Sequence, residues 1–138
     1  MKHIFLILML AFSGLAAADE VNWLSYEEAR ALNSDKPIFV FAKMRFCGTC
    51  AKMEEDEFSD PELAKLLNES FIPVKETINF AFSKFVFDDL KDKNGNTLKF
   101  SGFPSVMLVM GNNYSVNQGY VSAEMLKTQL TRVTNLDS

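Results

Sequence analysis

The feature that most restricts this chain is an apolar run that ends shortly before a pair of cysteines. Residues 38–42 read Ile-Phe-Val-Phe-Ala, aromatic and β-branched, with no polar interruption. Preceded by the breaker Asn33-Ser34-Asp35-Lys36-Pro37, such a run predicts a strand buried on both faces, and so a central one. It leads straight into Lys43-Met44-Arg45-Phe46-Cys47-Gly48-Thr49-Cys50. A helix is expected to begin near Cys47 and to end near Phe58.

The remaining elements follow from capping and periodicity. Ser25-Tyr26-Glu27-Glu28 fits a capping box and predicts a helix over about residues 26–32. Ser59-Asp60-Pro61-Glu62 is a second helix start, with a capping side chain and a proline in the first turn. Leu63, Leu66 and Leu67 give that helix its apolar face. Residues 71–78 predict a strand whose Pro73 favours its start or an edge. Residues 105–110 predict a further strand, which Gly111-Asn112-Asn113 turns back into a strand over residues 114–120. Ser122 then caps a last helix with Met125, Leu126, Leu130 and Val133 at helical spacing. Between the two halves, residues 79–101 are ambiguous. Residues 88–93 read as the end of a short helix stopped by Asn94-Gly95-Asn96, and the same NGN also suits a hairpin joining residues 85–87 to 97–100. The helix is the preferred reading. Strands alternating with helices and then a closing hairpin predict a mixed sheet covered on both faces.

At 138 residues the chain has room for one domain. Its first 18 residues form a separate unit: Lys2, an apolar stretch over residues 4–15, and Ala16-Ala17-Ala18. That order predicts a secretory signal cleaved after Ala18, leaving residues 19–138 as the domain. The competing reading is an uncleaved anchor, although the stretch is short for a membrane span of roughly 20 residues. Without the signal, 13 basic residues face 18 acidic ones, for a net charge of −5. No basic stripe interleaved with aromatics is present, which argues against nucleic-acid binding. The single histidine, His3, leaves with the signal.

Two cysteines in an exported chain first suggest a structural staple. A ring this small removes little chain entropy, however, because the stabilisation grows with loop length. Zinc needs about four ligands, often two such pairs or added histidines, and haem attachment needs a histidine where Ala51 stands. Copper(I) held by the two thiols with Met44 or Met53 is a further reading, against the simpler one that these methionines pack. A redox pair fits better. A cysteine at a helix start meets unpaired N–H groups and the positive end of the helix dipole, which favour the thiolate nucleophile. Cys47 holds that position, and Lys43, Arg45 and Lys52 reinforce it. Cys50 lies one turn deeper on the same face, placed to resolve a mixed disulfide formed at Cys47. The acidic run Glu54-Glu55-Asp56-Glu57 reads as a solvated helix face that opposes the thiolate weakly.

The strand running into Phe46-Cys47-Gly48-Thr49-Cys50, then Gly102-Phe103-Pro104-Ser105 before a strand, then Gly119 and a final helix, resembles the thioredoxin superfamily over nearly the whole of residues 19–138. The stretch from Lys36-Pro37 through Cys50, with Glu57-Phe58-Ser59-Asp60-Pro61-Glu62 and Phe71-Ile72-Pro73-Val74-Lys75, is similar to its periplasmic branch, which contains SoxW-type thioredoxins and the C-terminal domain of the disulfide reductase DsbD. The resemblance implies a thioredoxin-like fold and thiol–disulfide oxidoreductase activity, with Cys47 attacking and Cys50 resolving. Pro104 would be a cis-proline facing the disulfide, and Phe103 would offer its backbone to an extended substrate. On the residue grounds given above no metal is expected, and no cofactor beyond the Cys47–Cys50 couple. The expected partners are disulfide-bearing exported proteins and a membrane electron donor of the DsbD type, in the periplasm.

The chain departs from the family pattern in several places. Phe41 stands six residues before Cys47, where a buried acid usually moves the proton of the resolving thiol. Glu76 on the neighbouring strand is a candidate substitute. Phe46 replaces the usual tryptophan, and Gly48-Thr49 matches neither the common reducing nor the common oxidising pair. Disulfide formation rather than reduction, and a binding module with secondary redox chemistry, therefore stay open. The segment between the helix pair and Pro104 is longer than in a minimal thioredoxin, and its phenylalanines at 80, 82, 85 and 87 read as core beneath it, or as an exposed patch for a partner.

Overall fold

The computed structural model describes residues 19–79 and 86–136. Its elements in chain order are α1 (Tyr26–Ala31), β1 (Ile38–Met44), α2 (Gly48–Asp56), α3 (Pro61–Ser70), β2 (Ile72–Ile78), β3 (Ser105–Met110), β4 (Asn113–Gln118) and α4 (Ala123–Leu136). The sheet order is β2-β1-β3-β4. β1 runs parallel to β2 and antiparallel to β3, and β3 pairs antiparallel with β4. This is the expected mixed sheet with β1 inside it, a thioredoxin-like α/β fold. Pro73 sits on β2, at one side of the sheet, where Leu24 adds an isolated parallel bridge at Val74.

The helix starts form as the sequence predicts. Ser25 Oγ accepts from the Glu28 N–H while the Glu28 carboxylate accepts from the Ser25 N–H. The Asp60 carboxylate accepts from the Leu63 N–H at 2.8 Å, with Pro61 opening α3. At α4, Ser122 Oγ accepts from the Met125 N–H. Met125 itself is exposed, so the buried stripe of α4 is Ala123, Leu126 and Leu130, with Val133 packed at its margin.

Two apolar layers sandwich the sheet. One contains Phe39, Phe41, Cys50, Met53, Phe58, Leu63, Leu67 and the α4 stripe. The other contains Tyr26, Val40, Ala42, Val74, Ile78, Phe87 and Leu90. Alternate residues of β1 face opposite layers, which is why the whole run 38–42 had to be apolar. In the first layer the Phe41 ring lies 4.8 Å from Phe58 and 6.2 Å from Trp23, centroid to centroid.

Residues 86–101 depart from the preferred reading. A short turn over residues 87–89 ends before Leu90, and Lys91 and Thr97 form an antiparallel bridge around the NGN segment. Asp92 explains this: its carboxylate accepts from the N–H groups of Asn94 and Asn96, an alternative to helical bonding that closes a turn. The turn is therefore hairpin-like, but the residues it joins are 91 and 97. Phe87 is core, packed 4.7 Å from Tyr26 and 5.7 Å from Phe100. Residues 80, 82 and 85 of the phenylalanine cluster, and the signal-like residues 1–18, lie outside the described residues.

Because Phe41 is fully buried and packs on the Trp23 and Phe58 rings, Phe41→Ala should cost about 3–5 kcal/mol of stability. Urea unfolding of the variant beside the parent checks this, and a loss below about 1 kcal/mol would show that the ring stack is not a supporting contact.

Candidate redox site

The site forms where β1 leaves the sheet. Phe46 adopts φ +58°, a left-handed conformation uncommon for a residue with a side chain. That reversal swings the chain from β1 into α2, and Cys47 follows as the N-cap. Its Sγ accepts from the Cys50 N–H at 3.2 Å. Cys47 and Cys50 are joined as a disulfide with Cα atoms 5.2 Å apart. Cys47 is half-buried, whereas Cys50 is only 1% exposed and belongs to the first core layer. Gly48 and Thr49 between them are exposed.

Phe46 is 98% exposed, and the Arg45 guanidinium carbon lies 5.5 Å from its ring centroid. A cleft of about 590 Å³ opens beside the disulfide, with both cysteines, Lys43, Arg45, Phe46 and Thr77 in its walls. A smaller apolar groove of about 230 Å³ between β4 and α4 includes neither cysteine. The Phe103–Pro104 bond is cis, as the resemblance implied. Phe103 packs against both core layers, as does Cys47 against the first. The Pro104 carbonyl accepts from the Gly119 N–H at 2.8 Å, which ties this loop to the end of β4. Of the methionines considered for copper, Met53 has no exposed surface and packs in the core.

The charges differ from the sequence reading in two respects. Glu76 does not approach Cys50. It pairs with Ala42 in the register, on the second-layer side, and accepts from the Tyr26 N–H at 2.6 Å, so it serves the start of α1. The acidic run is not uniformly solvated either. Glu57 accepts from the Tyr120 hydroxyl and from the Ala123 N–H, which ties the end of α2 to the start of α4. Glu54 is half-buried between Lys43 and Lys75, each ammonium 2.5 Å from one carboxylate oxygen. Lys52 pairs instead with Asp56, on the exposed side of α2. Lys43 and Lys52 are thus engaged by carboxylates, which weakens the support they were expected to give the Cys47 thiolate. Helical spacing places Glu54 one turn beyond Cys50; only strand register, unreadable from sequence, shows which lysines it meets.

Burial alone would raise the Glu54 carboxyl, but hydrogen bonds and charge from Lys43 and Lys75 outweigh it, and the group is held below its usual value. Asp60 is likewise lowered, first by the Leu63 N–H. A carboxyl lowered on folding contributes stability above its unfolded pKa and loses it as pH falls through the folded value. The urea midpoint should therefore decline as pH drops below the usual glutamate value of 4.5. A midpoint that stays constant through the acid range would contradict these tethers.

A half-exposed sulfur at a helix start above a buried partner sulfur is the arrangement that thiol–disulfide exchange requires. In the reduced protein, Cys47 should alkylate at least about tenfold faster than Cys50 at neutral pH, because it is accessible and its thiolate meets the α2 N-terminus. Single-cysteine variants measured against pH check this; faster reaction at Cys50 would reverse the two roles.

Comparison with known proteins agrees with this geometry. The family profile Thioredox_DsbH, described as a protein of unknown function, DUF255, matches residues 11–79. Human spermatogenesis-associated protein 20 is 37% identical over 62 residues, which is 43% of this chain and 8% of that protein. The mouse protein is 39% identical over 61 residues, 42% of this chain and again 8% of its own length. The chain thus corresponds to a small part of these relatives. Among solved structures, a thioredoxin from Thermus thermophilus superposes with TM-score 0.64 at 17% identity, covering 83% of this chain and 88% of that one. DsbH oxidoreductase gives TM-score 0.62 at 19% identity, covering 91% and 92%. The reduced C-terminal domain of DsbD from Neisseria meningitidis gives 0.54 at 20% identity, covering 78% and 89%. At these identities the likeness is one of fold. Fold, cysteine pair and profile together support thiol–disulfide redox chemistry, and the chain belongs to the Thioredox_DsbH family of the thioredoxin superfamily.

Proposed function

We propose that the protein is an exported thiol–disulfide oxidoreductase that reduces or exchanges disulfides of periplasmic proteins. The observation that carries this reading is the Cys47–Cys50 pair, with the outer sulfur at the start of α2 and the inner one in the core. The signal-like residues 1–18 support export. In the reduced protein the Cys47 thiolate attacks a substrate disulfide. The substrate S–S bond breaks, a mixed disulfide forms at Cys47, and one substrate sulfur leaves as thiolate. Cys50 then attacks Cys47 Sγ, closing the Cys47–Cys50 bond and releasing the second substrate sulfur. The substrate gains two electrons and this chain loses them. An extended substrate segment lies along Phe103 and Pro104 during the exchange, in the manner of an added strand. A membrane donor of the DsbD type returns the two electrons.

Cys50→Ser in cells should accumulate mixed disulfides with exported proteins through Cys47, released by reductant. Absence of adducts, or adducts confined to cytoplasmic proteins, would contradict the proposal. Equilibration with glutathione should give a potential nearer thioredoxin's, about −270 mV, than DsbA's, about −120 mV. A value near the latter would make the protein an oxidant.

A further inference from the structure

The proposed exchange leaves a proton unassigned. To release a partner, Cys50 must give up its thiol proton, and a thiol in apolar surroundings holds it tightly. Cys50 is enclosed with Phe39, Phe41, Met53 and Phe58. The strand beneath offers no acid at Phe41, and Glu76 is committed to the other face of the sheet.

The fold supplies a carboxylate from above instead. Glu54 follows Cys50 by four residues on α2, and side chains so spaced have Cβ atoms about 5–6 Å apart on one helix face. In the parallel register Lys75 stands opposite Phe41, and Lys43 lies two residues further along β1. Both lysines therefore rise from the face of the sheet that carries Phe41, beneath α2. They grip the two Glu54 oxygens separately, at 2.5 Å each. Among the described residues, the charged groups that face Glu54 are these two, one from each strand; the N-terminal segment contributes the uncharged Trp23 ring, 5.5 Å from Lys75 Nζ.

We propose that Glu54 accepts the Cys50 proton during resolution, from α2, doing the work for which β1 carries no acid, and that Lys43 and Lys75 are its positioning residues. This rests on the exchange reaction proposed above. As Cys50 Sγ attacks Cys47 Sγ, the S–H proton passes to the Glu54 carboxylate, directly or through one water. The Cys47–Cys50 bond forms, the Cys47–partner bond breaks, and its electron pair leaves on the partner sulfur. The protonated Glu54 then returns the proton to solvent. The two ammonium groups hold this carboxyl below its usual value, so it stands ionised before resolution begins.

The role has a signature that simple charge does not share. A nearby negative charge disfavours a thiolate, so removing it should make Cys50 easier to ionise. If Glu54 only exerts charge, Glu54→Gln speeds resolution; if it accepts the proton, Glu54→Gln slows it. Reduced protein mixed with 5,5′-dithiobis(2-nitrobenzoic acid) reports both steps: Cys47 releases one thionitrobenzoate and is capped by the other, and Cys50 attack then releases the second. Glu54→Gln should leave the first phase unchanged and slow the second about tenfold or more at pH 7. The deficit should shrink as pH rises and be partly rescued by added imidazole. Alkylation of Cys50 in Cys47→Ser should be no slower with Glu54→Gln than without it. Should Glu54→Gln not fold, Glu54→Asp, which keeps the charge but shortens the reach, should slow the second phase severalfold and spare the first. A second phase unchanged or faster in the folded variant overturns the assignment. A parent protein with no second phase at all would overturn the exchange reaction itself, and this assignment with it.

Discussion

A strand enclosed on both faces leaves its chemistry only one place to emerge, at its end. Residues 38–42 of β1 are fully buried, flanked by β2 and β3 at the edges and by an apolar layer on each face. Everything at the site depends on how β1 ends. Phe46 turns the chain through a left-handed conformation, and α2 begins at once. That turn sets Cys47 where backbone N–H groups are unpaired, and helical geometry then carries Cys50 down into the layer that β1 supports. Exposure of one sulfur and burial of the other are thus two results of a single strand-to-helix transition.

The same burial shapes the electrostatics. An acid at residue 41 would sit beneath the resolving sulfur, but this chain fills the position with a ring locked among Trp23 and Phe58. The cost is the loss of a proton acceptor from the strand; the gain is a continuous aromatic core under the site. Polar groups on this face gather at the rim of the core, where Lys43, Lys75 and Glu54 satisfy one another across three elements. A half-buried carboxylate with two cationic partners is stable there because each oxygen is matched, whereas a lone one would have been neutralised.

Much of this was legible in the sequence, and the misses share a cause. The run at 38–42, the serine and aspartate caps, the cysteine spacing and the C-terminal hairpin each depend on local pattern, and all appear as expected. Whether Glu76 shares a face with Cys50 depends on strand register: Ala42 faces Glu76 and Phe41 faces Lys75, and a shift by one residue would exchange their faces. The run Glu54-Glu55-Asp56-Glu57 looked uniformly solvated because its partners, Lys43, Lys75 and Tyr120, are remote in sequence or on other elements. At residues 88–97 the Asp92 side chain competed with helical bonding, and a local hydrogen-bonding choice of that kind leaves little trace in hydrophobic periodicity.

The central claim is that the two sulfurs act in sequence, the outer attacking and the inner resolving. Mass spectrometry of the fully reduced protein mixed with a peptide disulfide tests it most directly. The account predicts a transient adduct at Cys47, followed by the Cys47–Cys50 disulfide and two free peptide thiols per chain. A lasting adduct, or one that forms first at Cys50, would contradict it.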